Sequence, residues 1–194
     1  MLRPMIKAAY GKFDTPEVTP LVRAGEYHVL ELFHGPTCAF KDVALSLLPY
    51  LITGAKELLG DHGKTVILTA TSGDTGKAAL EGFCDVPGTS IVVFYPEGGV
   101  SKIQERQMMT QRGKNVAVAA VRGNFDDAQT GVKRIFSTVK PTEAAELSSA
   151  NSINIGRLAP QIIYYWYAWA TLCRRGEISP VSYTHLTLPT NSRV

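Results

Sequence analysis

The sequence predicts an α/β fold, an open parallel sheet built from successive βα units with helices on both faces. Short apolar strands recur along the chain, and each is followed by a Gly-containing turn and then by an amphipathic helix. These strands lack polar alternation, as expected for strands that are covered on both faces of a parallel sheet. Ligands of open α/β sheets bind at the carboxyl ends of the strands, which is where these turns lie.

The elements follow one another in a regular order. An apolar strand at 29–33 leads into the turn Gly35-Pro36 and a helix that begins near Asp42. Three further units have strands at 65–70, 91–95 and 116–121, and helices that begin near residues 77, 101 and 125. Residues 140–150 are predicted to be a polar connection. The segment 151–154 has good capping chemistry and opens a long aromatic helix, which we predict to be buried.

Composition excludes several classes of function. The 194 residues are 45% hydrophobic and 19% charged, which is ordinary for a globular protein. The net charge of +3 is scattered, which argues against a nucleic-acid partner, and the apolar stretch 158–173 is short of the roughly 20 residues that span a bilayer. Three widely spaced cysteines and the lack of a secretory signal predict a cytoplasmic protein, and the four histidines have no metal-ligand spacing.

Lys41 is the first candidate functional residue. It lies at the predicted junction between strand and helix, flanked by Phe40 and Val43. An apolar setting favours the neutral amine, which is the nucleophilic form that a Schiff-base lysine needs. The local pattern alone favours the plainer alternative, a helix lysine that extends its amine into solvent.

A second candidate is the loop Thr71–Gly76, which joins the strand at 65–70 to the next helix. Its hydroxyl groups, glycines and helix N-terminus predict a site for a carboxylate or a phosphate. A tight turn that is capped by Thr75 or Asp74 remains an equal alternative. The glycine spacing fits neither a Walker phosphate loop nor a dinucleotide-binding fingerprint.

Several motifs together resemble one known family. They are ELFHGPTxAFKD at 31–42, LTATSGDTG at 68–76, YPxG at 95–98, SxxQE at 101–105, GNFDDxQ at 123–129 and NSINxxR at 151–157. From about residue 10 to residue 174 the chain resembles threonine synthase, a pyridoxal-phosphate enzyme of fold type II. The resemblance implies that residues 1–178 are a partial catalytic region, in which about 85–140 form a smaller βα subdomain.

The resemblance also implies a reaction and its residues. Lys41 is then the catalytic residue that holds pyridoxal 5'-phosphate as a Schiff base. Ser72, Gly73, Asp74 and Thr75 form the loop that faces this cofactor. The implied lyase reaction converts O-phospho-L-homoserine and water to L-threonine and phosphate, with the Lys41 amine as base.

Residues that bind the substrate follow from the same likeness. The implied set for the carboxylate and the phosphate is Thr71, Ser72, Thr75, Ser101, Asn154 and Arg157. Lys102 is a further candidate for the phosphate, although a solvated lysine on a helix surface is the commoner interpretation.

The chain departs from the family at its ends. Threonine synthases are longer, and we expect segments to be missing on both sides. The family's loop for the cofactor phosphate is expected after the aromatic helix, where residues 179–194 match nothing in the family and are interpreted as a non-native or disordered tail. We therefore expect this chain alone to hold the cofactor weakly and to be inactive. The sequence does not predict an oligomeric state.

Two alternatives remain open at this point. One is another lyase of the same fold, such as a threonine dehydratase or a cysteine synthase, although those families usually have a Ser-Gly-Asn loop where this chain has Asp74. The other is a noncatalytic protein that binds a phosphorylated amino acid.

Overall fold

A computed structural model describes residues 2–142, 144–152 and 154–178 of the chain. Its elements in order are α1 (Leu2–Tyr10), β1 (Leu21–Ala24), β2 (Tyr27–Leu30), α2 (Asp42–Leu45), α3 (Leu48–Leu59), β3 (Lys64–Ala70), α4 (Asp74–Phe83), β4 (Thr89–Pro96), α5 (Lys102–Met109), β5 (Val116–Val121), α6 (Phe125–Thr138), β6 (Ala145–Ser148) and α7 (Ile155–Arg174). The predicted tail at 179–194 lies outside the described residues.

Four strands form a parallel sheet in the order β5-β4-β3-β6. The predicted α/β fold is thereby confirmed. The strand order reverses at β3, because β4 and β5 lie on one side of it and β6 lies on the other. Such a reversal opens a crevice at the carboxyl ends of the strands, and this crevice is the usual ligand site of open α/β sheets.

Both faces of the sheet are covered by helices, as predicted. On one face Ile67 and Ile91 pack with Phe83 of α4 in a core whose side chains are fully buried. On the other face Leu68 packs against Val132 of α6. The carboxyl end of β3 is therefore held between two apolar layers.

Two predictions about strands are wrong. The strand predicted at 29–33 ends at Leu30, and it pairs antiparallel with β1 across a turn in which Gly25 has a φ of 63°. It belongs to a separate hairpin and not to the parallel sheet. The polar connection predicted at 140–150 contains β6, whose Glu146 accepts hydrogen bonds from Lys56 Nζ at 2.9 Å and Thr65 Oγ1 at 3.0 Å. Because β6 carries a polar residue that bonds to distant segments, its sequence resembles that of a loop.

The helix predicted after Lys41 is divided into α2 and α3. Pro49 lies in the first turn of α3, where it has no N–H to continue the hydrogen bonding of α2. Gly82 of α4 lies against this break, because a Cβ atom at Gly82 would overlap the Leu45 carbonyl group. The backbones of α4 and α2 therefore touch directly at this point.

The long aromatic helix α7 is buried along one side only. Tyr164 is 4% exposed, whereas Ile163 and Trp166 are 64% and 60% exposed. The prediction that this helix is buried is therefore wrong for its second face. No helix among the described residues is long and apolar enough to cross a membrane. The strands β4 and β5, which lie within residues 85–140, continue the sheet of β3. The division of the chain into a smaller subdomain at 85–140 stays a prediction.

Candidate active site

Lys41 directly precedes α2 and points toward the start of α4. Its Nζ atom lies 3.7 Å from Asp74 Oδ2 and 5.2 Å from the centre of the Phe40 ring, and the side chain is 19% exposed. The apolar setting expected from Phe40 and Val43 is incomplete, because the Phe40 ring lies beside the amine but the Asp74 carboxylate also faces it. The alternative of an amine extended into solvent does not describe this geometry either.

The loop between β3 and α4 is organised by Thr71. Its hydroxyl oxygen accepts hydrogen bonds from the backbone N–H groups of Gly73 at 3.0 Å and Gly76 at 2.9 Å. Neither Asp74 nor Thr75 caps the helix. The alternative of a tight turn capped by one of these two residues is therefore wrong about which residue binds the N–H groups of the turn. Gly73 has a φ of 143°, a conformation that favours glycine.

This loop keeps its anion-binding donors available. In the part of the chain that the structure describes, the backbone N–H groups of Ser72, Asp74 and Thr75 have no hydrogen-bond partner. They lie at the positive end of the α4 dipole and at the carboxyl end of β3, where the strand order reverses. The arrangement is suited to binding a carboxylate or phosphate group.

Gln104 connects this loop to the next βα unit, and the sequence did not single out its role. Its Nε2 donates to Asp74 Oδ1 at 2.8 Å, while its Oε1 accepts from Ser101 Oγ at 3.1 Å. Ser101 Oγ accepts from the Gln104 backbone N–H at 3.2 Å and Gln104 Oε1 accepts from the Ser101 backbone N–H at 3.4 Å, and these two bonds form a capping box at the start of α5. The Ser-x-x-Gln spacing is the signal that could have found it. A Cβ atom on Gly73 would overlap the Gln104 amide, so the two segments are in close contact.

Asn154 and Arg157, two predicted substrate residues, lie around the start of α7. Asn154 caps this helix, because its Oδ1 accepts from the Gly156 N–H at 2.9 Å and its Nδ2 donates to the Ser149 carbonyl at 2.9 Å. The predicted capping chemistry of this segment is confirmed. The Asn154 side chain is largely occupied by this structural role.

Arg157 is a buried cation with a spare donor. It is 8% exposed, its Nη1 donates to the Ala150 carbonyl at 3.0 Å, and its Nε has no partner among the described residues. Burial lowers the pKa of its guanidinium from the ordinary value. No hydrogen bond or ion pair of the described residues joins Arg157, Asn154 or Ser101 to Lys41. Lys102 is exposed, as its solvated interpretation predicts.

Comparison with known proteins identifies similar sequences and similar structures. No family model matches it. Threonine synthase of Saccharomyces cerevisiae is 41% identical over 179 residues, which cover 87% of this chain, and threonine synthase of Pseudomonas aeruginosa is 43% identical over 165 residues, which cover 84%. A crystal structure titled as PLP-bound threonine synthase from Brucella melitensis matches 87% of the chain with a TM-score of 0.79 and 44% identity.

The chain belongs to the threonine synthase family. It spans 35% of the length of these two curated threonine synthases and 36% of the Brucella chain. The resemblance that the sequence motifs predicted is confirmed. The fold that the crystal structure shares with this chain includes the parallel sheet that carries the candidate site.

One further feature of this chain fixes the start of the segment that leads to Lys41. The His34 ring lies between two carboxylates, with Nε2 2.8 Å from Glu31 and Nδ1 2.6 Å from Asp14. The hydrogen bonds to Glu31 and Asp14 raise the pKa of His34 above its ordinary value. The ring therefore links the N-terminal segment to the end of β2. Sequence reasoning missed this group because Asp14 lies 20 residues before His34 in the chain.

Proposed function

We propose that this chain is the lysine-bearing part of a threonine synthase, and that the Lys41 amine binds pyridoxal 5'-phosphate. The observation that carries the proposal is the pairing of Lys41 with the start of α4, where its amine lies 3.7 Å from Asp74. Three backbone N–H groups beside it have no partner among the described residues. The 44% identity to a threonine synthase whose crystal structure is titled as PLP-bound supports binding of the same cofactor by this chain.

The residues present fit such a cofactor. The Lys41 side chain is 19% exposed, so its amine can reach an aldehyde carbon while most of the side chain remains covered. Gly73 has no side chain to block the loop, and Ser72 is exposed next to it. Once bound, the cofactor would supply an electron sink for charge that develops at the substrate carbon.

Different side chains are proposed to bind the substrate, to transfer protons and to orient the Lys41 amine. The free N–H groups of the Thr71–Gly76 loop are proposed to bind the carboxylate of O-phospho-L-homoserine, with Ser72 and Thr75 as hydroxyl partners. Lys41 is proposed to move protons at Cα and Cβ of the substrate as a general base and acid. Asp74, held by Gln104, orients the Lys41 amine toward the substrate.

Loss of phosphate from Cγ and addition of water at Cβ complete the proposed conversion to L-threonine. The leaving phosphate needs cationic and hydroxyl partners. Arg157 is the strongest candidate, because its buried Nε has no partner among the described residues. Asn154 and Ser101 remain proposed partners, although both are engaged in helix capping.

Borohydride trapping tests the cofactor role directly. The chain is mixed with pyridoxal phosphate and reduced, and the modified lysine is located by peptide mass spectrometry. Reduction also traps a weakly populated adduct, so tight binding is not required. We expect the label on Lys41, its loss in Lys41→Ala and its retention in Lys102→Ala. An even spread of label over exposed lysines would refute the role of Lys41.

The reaction needs a second measurement. The product of the complete gene is expected to release phosphate from O-phospho-L-homoserine and to form threonine in equal amounts. Release of ammonia from threonine without phosphate release would instead assign the protein to a different lyase activity.

A further inference from the structure

The residue that follows Lys41 fixes the loop that precedes it. Asp42 is 1% exposed, and its two carboxylate oxygens accept hydrogen bonds from Thr37, one from the backbone N–H at 2.8 Å and one from the hydroxyl group at 2.5 Å. An acidic residue in the first turn of a helix ordinarily faces solvent and interacts with the helix dipole. Here the carboxylate is turned back into the protein.

A second charged side chain, that of Lys77, also forms a hydrogen bond with Thr37. Lys77 Nζ, in the first part of α4, donates to the Thr37 carbonyl at 2.7 Å. The N–H, the hydroxyl group and the carbonyl of Thr37 are thus all engaged by charged side chains. Charge-assisted hydrogen bonds are about twice as strong as neutral ones, so Thr37 is a well-anchored point in the loop.

The backbone around this point has little freedom. A Cβ atom on Gly35 would overlap the Asp42 carboxylate, so the loop and the carboxylate are in contact. Cys38 has a φ of 56°, which is unfavourable for a residue with a side chain, and its N–H donates to the Gly35 carbonyl at 3.0 Å. Such conformations persist where surrounding contacts enforce them.

We propose that Asp42 is a positioning residue that acts through Thr37 to aim the Lys41 amine at the start of α4. The backbone of Lys41 is held on its other side by α2, since the Leu45 N–H donates to the Lys41 carbonyl at 2.9 Å. With both flanks fixed, the Lys41 side chain leaves the backbone in one direction, toward Asp74. This inference rests on the proposed role of Lys41 as the cofactor lysine.

Substitutions at Thr37 separate the hydroxyl bond from the size of the side chain. Thr37→Val keeps the shape and removes the donor, whereas Thr37→Ser keeps the donor. At Asp42, the amide of Asp42→Asn can still accept from the Thr37 N–H and donate to the Thr37 hydroxyl, whereas Asp42→Ala can do neither. We expect Thr37→Ser to stay close to the wild type, Asp42→Asn to be intermediate because its bonds are neutral, and Thr37→Val and Asp42→Ala to be impaired.

Two readouts are measured on the full 194-residue chain. The first is amide hydrogen exchange of the peptide 35–41 without cofactor, where we expect about tenfold faster exchange in Thr37→Val. The second is the share of the borohydride-trapped label that is found on Lys41, which we expect to fall severalfold in the same variant as label moves to other lysines. Val132→Ala, in the core on the opposite face of the sheet, is the control for lowered stability alone. It should change neither readout at Lys41.

The outcomes separate this inference from the function on which it rests. If the wild type is labelled at Lys41 and Thr37→Val is labelled equally well there, Asp42 and Thr37 do not position the lysine. If Val132→Ala lowers Lys41 labelling as much as Thr37→Val does, the effect is one of general stability, and positioning is again refuted. If the wild type itself is not labelled at Lys41, the proposed function fails first, and the positioning role fails with it.

Discussion

Replacement of Gly82 by alanine tests the direct contact between α4 and α2. A Cβ atom at this position would lie 2.7 Å from the Leu45 carbonyl carbon, overlap its oxygen, and lie 3.3 Å from the Ser46 nitrogen. These are backbone atoms, which cannot rotate away as a side chain can, so α4 must move by roughly 1 Å. Overpacking of this kind costs about 1–3 kcal/mol, and alanine's better helix propensity returns about 1 kcal/mol. We expect a net loss of about 1 kcal/mol, and at most about 2 kcal/mol, in the free energy of unfolding.

Gly131→Ala is the matched control. Gly131 lies within α6, and no atom would come within 4 Å of an added Cβ. Alanine should therefore stabilise the protein there by about 0.5–1 kcal/mol. Urea unfolding followed by circular dichroism gives both values from the transition midpoints. Equal stability of the two variants would refute the close contact between the helices.

Gly82→Ala should also change the geometry of the candidate site. Asp74 begins α4 and Lys41 directly precedes α2, so a shift between the two helices changes the 3.7 Å separation of the amine and the carboxylate. Borohydride-trapped label on Lys41 is expected to fall in Gly82→Ala and to be unchanged in Gly131→Ala.

Three further changes test other contacts. Thr71→Val leaves the Gly73 N–H without its acceptor and the Gly76 N–H with only the Gly73 carbonyl, and it should cost about 1–2 kcal/mol in urea unfolding, while Thr71→Ser should restore most of it. Phe83→Ala removes a fully buried ring and should cost about 3–5 kcal/mol by the same assay. Because the pKa of His34 is raised in the folded state, the stability from its two carboxylate contacts is complete below the unfolded value of about 6.5 and is lost as pH rises through the folded-state pKa. Thermal melting of wild type and His34→Gln should show this difference at pH 5.5 and a smaller one at pH 8.5.

Each of these expectations has an outcome that would contradict it. A Thr71→Ser variant as unstable as Thr71→Val would show that the hydroxyl bonds are not what matters there. A loss below about 1 kcal/mol for Phe83→Ala would mean that the core near α4 is loosely packed. If the melting temperature of the wild type exceeds that of His34→Gln by more at high pH than at low pH, the expected stabilisation by the protonated His34 ring is contradicted.

The parallel sheet could be predicted because its strands are apolar and close to their helices in sequence. The strands β3, β4 and β5 all overlap the segments predicted from the sequence, and each is followed by the expected helix. The edge strand β6 could not be predicted in this way, because it is four residues long and carries Glu146, whose polar partners come from distant segments. The hairpin of β1 and β2 was misassigned because the apolar residues at 29–33 do not reveal antiparallel pairing.

The site was predictable where the chemistry is local and unpredictable where it joins separate units. Lys41 and the Thr71–Gly76 loop stood out by residue type and by the motifs around them. Their relation through Asp74 to Gln104, and the anchoring of Thr37 by Lys77, depend on three-dimensional contacts between different βα units. The exposed side of α7 was missed because an apolar sequence predicts burial without specifying what covers it.

The pairing of β6 with β3 gives the candidate site a place in the order of folding. The pairs β3–β4 and β4–β5 join neighbouring units of the chain, whereas β6 returns to β3 with a sequence separation of 81 residues at the Thr65–Glu146 bond. Closing so long a loop is entropically costly and slow compared with joining adjacent units. We therefore expect β6 to be the last strand to add to the sheet. The crevice beside the loop after β3 then forms only at the end, so an intermediate could have most of its sheet and still lack one wall of its ligand site.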